Sequence, residues 1–398
     1  MKQLITLLIL LIHTIAFAED WPQWRGVNRD GISNETGLLK KWPENGPRMF
    51  WKIDGLGKGY SSAAVVNDKV YITGTINDSL EVLNLIDSKG KLIWQTVYGD
   101  AWIKGDFRAS RCTPTIKDGK AYVISGNNDI ACINAKTGKL EWKVVAVEKF
   151  KAQPHKIQGV AESPLIISDK LISTPCGKQT AVVALNCKNG ETIWESKPLG
   201  DESLFVSPML FHFNGKDVII AVSGENTLGI NAKDGKTEWI LPRCSYFITP
   251  IVKGNLVFTG GDMLSFSSDS GKYHEEWKLP EAPGHGGVIL VNDLLFGEYD
   301  TKSNNVFTCI DWKSGEILYK MNTIKQSSLI SAEGLLYNFQ HKSGKVSLIK
   351  AARDQAEIIS SFKVEKGDQQ YWAHPSISNK KLYIRNDETL WVYDIGEK

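Results

Sequence analysis

The sequence predicts an all-β fold, an eight-bladed β-propeller made of four-stranded antiparallel blades. A Gly with an aromatic residue four positions later recurs along the chain. A Ser/Thr-Pro or related pair lies upstream of most copies, and short apolar runs with polar turns fill the space between. Self-similarity at a period of 40 to 50 residues is typical of propellers, and it takes precedence over any local pattern.

The recurring motif predicts a structural turn. It has an apolar pair, Asn or Asp, a Gly and a terminal aromatic residue; the clearest copies are residues 132–142, 184–194, 229–239 and 309–319. Residues 83–94 are a looser copy, and residues 265–277 carry two extra residues. The Asn or Asp side chain can bond to nearby backbone amides while Gly takes a positive φ. We expect the aromatic residue to pack against the neighbouring blade.

The proline pairs mark the start of each unit. They are Thr113-Pro114, Ser163-Pro164, Ser207-Pro208, Thr249-Pro250 and His374-Pro375. Proline fits the first residue of a strand, where no ladder hydrogen bond is lost. Tight turns such as Asp118-Gly119 then separate the first two strands of a unit. Each unit is therefore predicted to be a four-stranded meander.

The eighth unit predicts how the ring closes. Its third strand lies near residues 389–394, and only residues 395–398 follow. Met49, Phe50, Trp51 and Lys52 resemble the fourth strands of other units. We expect residues 49–53 to complete the last blade, because a closed ring removes exposed sheet edges.

The N-terminus predicts export. Residues 1–18 contain Lys2, an apolar stretch and the small-residue pattern Ala16, Phe17, Ala18, which is typical of a secretory signal peptide. The apolar stretch is too short to span a bilayer, and no cysteine near the cleavage point offers a lipid anchor. We expect cleavage after Ala18, an N-terminal arm at 19–47, a propeller at 48–398, and a periplasmic or secreted protein. Trp21, Trp24 and Arg25 of the arm are expected to pack on the outer or lower face.

Composition narrows the classes of partner. The 398 residues carry a formal net charge of +2 without a basic stripe, which argues against nucleic acid. The six cysteines form no adjacent pair and no C-x-x-C motif, so we expect mostly free, buried thiols.

One group of residues is a candidate binding site. Loops that lead into the innermost strands open at one end of a propeller, which would gather Arg108, Arg111, Glu162, His285, Trp372 and His374 at one mouth. Two arginines could grip a carboxylate or phosphate, and a histidine pair with a glutamate could move protons or hold a metal. Alternatively, Arg and Glu form an ion pair that closes the channel while the histidines cap strand ends.

The repeat resembles the quinoprotein-type β-propeller, the fold of the pyrroloquinoline quinone (PQQ) dehydrogenases and of the outer-membrane β-barrel assembly scaffold. The Gly-Lys-x-x-Trp turn is similar to the tryptophan-docking motif of that family, over about residues 48–395. The N-terminal run Trp21-Pro-Gln-Trp-Arg-Gly26 resembles exported PQQ-like repeat proteins. The resemblance is specific for the fold and only weakly specific for an activity.

In the enzymes, the resemblance implies PQQ clamped between two adjacent cysteines and a Trp, with calcium held by Glu and Asn oxygens. This sequence has no adjacent cysteines and one glutamate at the mouth, whereas calcium needs six to eight oxygen ligands. We therefore expect a binding scaffold with no catalytic residues, cofactor or metal, and with a protein or a small anionic ligand as partner. The alternative is a quinoprotein-like alcohol dehydrogenase that uses PQQ and calcium.

Overall fold

The computed structural model describes residues 19–105, 108–243, 245–267, 272–280, 283–301, 304–324, 326–365 and 370–397. The predicted signal peptide, residues 1–18, and Cys244 lie outside them. In the described part of the chain, a single short helix, Ala146–Lys149, accompanies the strands. None of the helices described there has the length and apolar character needed to cross a membrane.

The predicted eight-bladed, all-β architecture is confirmed. Eight antiparallel sheets follow one another along the chain. Blade 1 has Ala64–Val66, Lys69–Ile76, Leu80–Ile86 and Leu92–Asp100, and blade 2 has Thr115–Lys117, Lys120–Ile124, Asp129–Asn134 and Leu140–Val145. Blade 3 has Leu165–Ile167, Lys170–Ser173, Val183–Asn186 and Thr192–Glu195, and blade 4 has Met209–Phe213, Lys216–Ser223, Asn226–Asn231 and Thr237–Leu241.

The second half of the ring repeats this order. Blade 5 has Ile251–Lys253, Leu256–Phe258, Asp262–Phe266 and Tyr273–Lys278, and blade 6 has Pro283–Val291, Leu294–Thr301, Asn304–Asp311 and Ile317–Met321. Blade 7 has Ser327–Ala332, Leu335–Gln340, Lys345–Ala351 and Ala356–Lys363. Blade 8 has Ser376–Ser378, Lys381–Asn386, Thr389–Asp394 and, last, Arg48–Ile53.

Burial distinguishes the strands of a blade. In blade 2 the middle strands Lys120–Ile124 and Asp129–Asn134 are buried almost throughout, whereas Leu140–Val145 alternates between exposed and half-buried residues. Blades pack face to face, so one hydrophobic cluster joins Leu83 of blade 1, Cys132 of blade 2 and Leu185 of blade 3. The first strand of each blade therefore lies at the axis and the fourth at the rim.

The predicted ring closure is also confirmed. Arg48–Ile53 pairs antiparallel with Thr389–Asp394, with Met49 opposite Tyr393 and Ile53 opposite Leu390. The strand that precedes blade 1 in the chain thus completes blade 8, so the first and last repeats are joined by hydrogen bonds between strands.

The Gly–aromatic motif forms contacts between blades. Gly138, at φ 74°, turns beneath the Trp94 ring of the preceding blade, and a Cβ built there would lie 2.7 Å from Trp94 Cδ2. The same contact joins Gly90 with Trp51, Gly190 with Trp142, Gly235 with Trp194 and Gly315 with Trp277. Trp142 Nε1 also donates to the Cys187 carbonyl at 3.1 Å. The motif is therefore framework, as predicted.

The cysteines with described positions agree with the sequence prediction. Cys112, Cys132, Cys176 and Cys309 are free and buried, and Cys187 is free and half-buried. They act as small apolar residues of the core.

Trp21, Trp24 and Arg25 of the N-terminal arm lie at the propeller axis, and the expectation that these residues pack on the outer or lower face is wrong. Trp21 exchanges two backbone hydrogen bonds of 2.8 Å with Val65 of blade 1. The Ile116 amide of blade 2 donates to the Pro22 carbonyl. Ile32–Ser33 then adds a parallel fifth strand to Ser327–Ala332 of blade 7.

Two buried arginines explain this position. Arg25 Nη2 donates to the Val288 carbonyl of blade 6 at 2.7 Å, and Arg29 donates to the Ser163 and Pro164 carbonyls ahead of blade 3 at 2.9 and 3.0 Å. Innermost strands present unpaired carbonyls toward the axis, and the guanidinium groups satisfy them. Burial lowers the pKa of both arginines to about 10, so both stay charged at neutral pH.

Candidate functional site

A cavity of about 130 Å³ lies on the axis, at the end where the chain enters the innermost strands. We call this end the mouth. One repeat position supplies most of its wall, four residues before the first residue of an inner strand: Tyr60, Arg111, Ala161, Phe205, Phe247 and Trp372. His285, on the inner strand of blade 6, completes the wall. The repeat thus places six side chains around a common space, and with His285 the wall draws on seven blades.

The N-terminal arm forms the floor of the cavity. Trp24 Nε1 donates to Thr249 Oγ1 of blade 5 at 2.9 Å. The Trp24 ring meets the His374 ring edge-on, with centroids 4.7 Å apart. A second space of about 470 Å³ lies between the arm, at Gln23 and residues 27–30, and the inner strands of blades 3 to 5. The mouth cavity is therefore closed by the chain's own N-terminal segment.

The wall of the cavity is largely aromatic. Trp372 lies 4.9 Å from Tyr60 between ring centroids, and His285 lies 4.0 Å from Phe247. Phe247 also stacks on Phe205 at 5.5 Å. Trp372 and His285 are nearly parallel, with an interplanar angle of 9° and centroids 6.4 Å apart. These ring faces favour stacking with a flat ligand.

Among the residues of the lining that the structure describes, Arg111 is the cationic side chain and none carries a carboxylate. Its Nη1 donates to the Gln158 carbonyl at 2.8 Å, and its guanidinium carbon lies 5.9 Å from the Tyr60 ring centroid. Burial lowers the pKa of Arg111, and the nearby Glu81 and Tyr60 act in the opposite direction and partly offset this shift. A positively charged group inside an apolar wall favours an anionic ligand.

Two serines add hydroxyl groups to the lining. Ser163 Oγ accepts a hydrogen bond from the Thr113 amide at 2.9 Å, and Ser207 Oγ accepts one from the Ser163 amide at 3.0 Å. A hydroxyl that accepts in this way keeps its own O–H as a donor.

The pKa values of the two histidines of the cavity are lowered, which favours the neutral imidazole. Burial, with a smaller effect of the Arg25 charge, lowers the pKa of His374 well below its usual value. Desolvation by the surrounding rings also lowers the pKa of His285, although the residue stays partly open to solvent. A neutral imidazole can donate or accept one hydrogen bond but adds no charge to the site.

The structure brings together four of the six side chains predicted for the mouth, Arg111, His285, Trp372 and His374. Arg108 is exposed, lies outside the lining, and donates through Nε to the Gly105 carbonyl at 2.9 Å.

Glu162 also lies outside the lining. It is 1% exposed and accepts hydrogen bonds from the amide and hydroxyl of Thr174. Its neighbour Ala161 lines the cavity, because successive side chains of an extended segment point to opposite sides. Burial raises the pKa of Glu162 to about 7, although its hydrogen bonds and the Arg29 charge oppose the shift.

Sequence reasoning did not select Trp24, Tyr60, Phe205 or Phe247 as site residues. Phe205 and Phe247 each stand three residues before the proline that opens a repeat, as Arg111 and Trp372 do. This shared position before the proline could have identified Phe205 and Phe247 as site residues. Trp24 lies outside the repeats, so the sequence pattern offered no equivalent signal for it.

The lining does not fit the calcium–quinone site implied by the enzymes of this fold. Glu162, the one carboxylate expected at the mouth, is bonded to Thr174 instead. Position 111, next to Cys112, is an arginine, and the Cys112 sulfur accepts a hydrogen bond from the Ile124 amide. Across the described ranges, no three His, Cys, Asp or Glu side chains are grouped so that they could hold a metal ion. The donor set therefore lacks the oxygens that calcium prefers.

Comparison with known proteins agrees with this architecture. A family described as "Outer membrane protein assembly factor BamB" matches residues 78–321, which is more than half of the chain. This chain belongs to that PQQ-like β-propeller repeat family. Among its relatives, BamB of Yersinia pestis is 21% identical over 307 residues, covering 73% of this chain and 72% of the relative. BamB of Moranella endobia is 24% identical over 279 residues, covering 68% and 66%.

Solved structures resemble the fold of this family member at low sequence identity. The crystal structure of BamB from Moraxella catarrhalis aligns with a TM-score of 0.62 and 14% identity, over 87% of this chain and 99% of that one. Quinohemoprotein alcohol dehydrogenase from Comamonas testosteroni aligns with a TM-score of 0.68 and 12% identity, over 95% and 81%. Assembly factors and dehydrogenases share this fold, so the fold alone does not select between them.

Proposed function

We propose that this chain is an exported, non-catalytic binding scaffold of the periplasm, and that its mouth holds a flat, negatively charged group. One observation carries the proposal: the repeat places aromatic faces and the Arg111 guanidinium around one cavity. Stacking would orient the flat part of the ligand, and the guanidinium would bind its anionic part. The names of the relatives, assembly factors of the outer membrane, support a scaffold rather than an enzyme.

A matched pair of probes tests the chemistry of the cavity. Naphthalene-2-carboxylate and its neutral amide share one flat ring system, and binding is followed by quenching of tryptophan fluorescence. A hydrogen bond to a charged group contributes about 1.5–3 kcal/mol, so the carboxylate should bind roughly 10- to 100-fold more tightly than the amide. Arg111→Gln should remove this preference.

Arg108→Gln is the matched control, because Arg108 carries the same charge nearby but lies outside the cavity lining. This variant should keep the preference for the carboxylate. Equal binding of both probes to the wild-type protein would overturn the proposal. Turnover of an alcohol in a dye-linked assay after incubation with PQQ and calcium would overturn its non-catalytic part.

The anionic group could belong to a free small molecule or to a protein partner. Ile103 and Ile157, on the loops leading into blades 2 and 3, are 55% and 60% exposed, and they give a protein partner apolar surface beside the mouth. Native mass spectrometry of protein purified gently from the periplasm distinguishes these sources. A bound mass of a few hundred daltons indicates a small molecule, and a bound polypeptide that naphthalene-2-carboxylate displaces indicates a protein.

A further inference from the structure

Glu19, the first residue that the structure describes, lies at the end of the axis opposite the mouth. Several hydrogen bonds hold both its backbone and its side chain there. Its backbone amide donates to Glu35 Oε1 at 3.1 Å, and its carbonyl accepts from Ser378 Oγ at 2.8 Å. Its side-chain carboxylate accepts from the amide of Asn34 at 2.5 Å and from Asn34 Nδ2 at 2.7 Å.

Glu35 is the centre of this arrangement. It is 7% exposed, and it accepts the backbone amides of Asn379 and Lys380 in addition to that of Glu19. Asn379 and Lys380 form the turn between the first two strands of blade 8. Glu35 thus ties the start of the arm to the blade that closes the ring.

The hydrogen bonds that this carboxylate accepts from the described residues come from backbone amides. None of the ion pairs between residues within the described ranges includes Glu35. A buried carboxylate is stabilised far better by an opposite charge than by neutral donors alone. Of its three amide donors, the nitrogen of Glu19, at 3.1 Å, is the one that cleavage of the preceding peptide bond would make a charged group.

We propose that proteolytic maturation supplies this charge: hydrolysis of the Ala18–Glu19 peptide bond frees the Glu19 α-ammonium, which forms a buried ion pair with Glu35. A signal peptidase would use one water molecule to convert the bond into the Ala18 carboxylate and the Glu19 amino group. The proposal rests on the export included in the proposed function. It goes further, because it makes processing at this bond a step that stabilises the folded propeller.

The ion pair also bears on the binding site. Glu19 lies two residues before Trp21, which bonds to blade 1, and five residues before Trp24, which floors the mouth cavity. An uncleaved segment would leave the nitrogen of Glu19 as a neutral amide. The arm would then be attached less firmly at its start.

The first measurement is the mass of the protein purified from the periplasm, which should correspond to a chain that starts at Glu19. The second compares recombinant chains that start at Glu19 and at Phe17. The shorter chain should melt about 2–4 °C higher, and its Asn379 and Lys380 amides should exchange hydrogen at least about 10-fold more slowly. Glu35→Gln should abolish both differences, whereas Glu44→Gln, at an exposed arm position, should preserve them.

The pH dependence has a defined sign. An α-amino group titrates near pH 8 in an unfolded chain, and pairing with a carboxylate raises its pKa in the folded state. As long as Glu35 is ionised, the extra stability of the Glu19-start chain is therefore complete below about pH 7.7, and it disappears as pH rises through the folded value of the amino group. Other titratable groups surround this pair, namely the Glu19 side chain, Asp20, Asp68, Lys380, Lys381 and Tyr383, but both chains contain them.

The outcomes separate this proposal from the proposed function. A periplasmic protein that begins at another residue would overturn the cleavage site. Identical melting and exchange of the two recombinant chains would overturn the ion pair while leaving the binding scaffold intact. Loss of the carboxylate preference at the mouth, with the difference between the chains preserved, would instead count against the proposed function alone.

Discussion

The Trp24 ring of the N-terminal arm lies edge-on against the His374 ring of the loop leading into blade 8, with centroids 4.7 Å apart. The indole Nε1 of Trp24 is bonded to Thr249 of blade 5. One side chain from outside the repeats thus connects two blades across the axis. The capacity of the mouth to bind a ligand consequently depends on the arm.

Replacing Trp24 with Ala should open the floor of the cavity. We expect a loss of about 2–4 kcal/mol in the free energy of unfolding, since a large, partly buried aromatic ring is removed. Affinity for naphthalene-2-carboxylate should fall by roughly 10-fold or more, since ring stacking and enclosure are lost. Urea denaturation and fluorescence titration measure the two effects.

Trp24→Phe serves as the control, because it keeps an aromatic ring but lacks the Nε1 donor to Thr249. It should lose only about 1 kcal/mol of stability, the typical net value of one hydrogen bond, and retain most of the affinity. If Trp24→Ala bound the probe as tightly as the wild-type protein, the arm would not form part of the site.

The packing of tryptophan on turn glycines can be measured with a matched pair of substitutions. Gly138 and Gly119 have nearly equal φ angles of 74° and 73°, but a Cβ at Gly138 would lie 2.7 Å from Trp94 while one at Gly119 meets no atom within 4 Å. Gly119→Ala should cost about 1–2 kcal/mol from the left-handed backbone alone. Gly138→Ala should cost about 1–3 kcal/mol more because of the overlap with the indole.

Chemical denaturation of both variants checks this difference. Combining Gly138→Ala with Trp94→Ala should remove most of the extra cost, because the indole ring that would overlap the new methyl group is then absent. Equal costs for the two glycine variants would mean that the indole contact contributes nothing to blade packing.

Glu162 should make the stability of the protein depend on pH. Burial raises the pKa of this carboxyl group from 4.5 to about 7, so the folded state binds the proton more tightly than the unfolded state does. The resulting stabilisation is complete below about pH 4.5 and is lost as pH rises through about 7. At about 1.4 kcal/mol per pKa unit, the loss is at most about 3 kcal/mol.

Glu162→Gln should therefore flatten the stability profile between pH 5 and 7.5, as measured by urea denaturation at several pH values. The amide can still accept the Thr174 amide hydrogen bond that Glu162 accepts. Glu148→Gln changes an exposed carboxyl group and should leave the profile unaltered. An unchanged slope in Glu162→Gln would show that this residue does not titrate in that range.

The buried arginines of the arm should be needed for its attachment at the axis. Arg29→Met keeps much of the side-chain volume but leaves the Ser163 and Pro164 carbonyls without their donors. We expect a loss of about 1–3 kcal/mol and faster proteolysis of the arm in limited digestion. Arg48→Met is the control, because Arg48 is an exposed arginine that pairs with Asp394 at the rim; its loss should cost less than about 1 kcal/mol.

The sequence alone determined the eight blades, their strand order and the closure of the ring. Those features follow from a repeated local pattern, and the strand at residues 389–394 pairs with the repeat-like strand at residues 48–53. The tertiary structure decided which side chains meet. Arg108 and Arg111 are three residues apart, yet only Arg111 lines the cavity, and the arm occupies the axis because buried arginines meet unpaired inner-strand carbonyls there. A repeat specifies backbone spacing, whereas the direction of a side chain and the path of a non-repeated segment depend on contacts between residues distant in sequence.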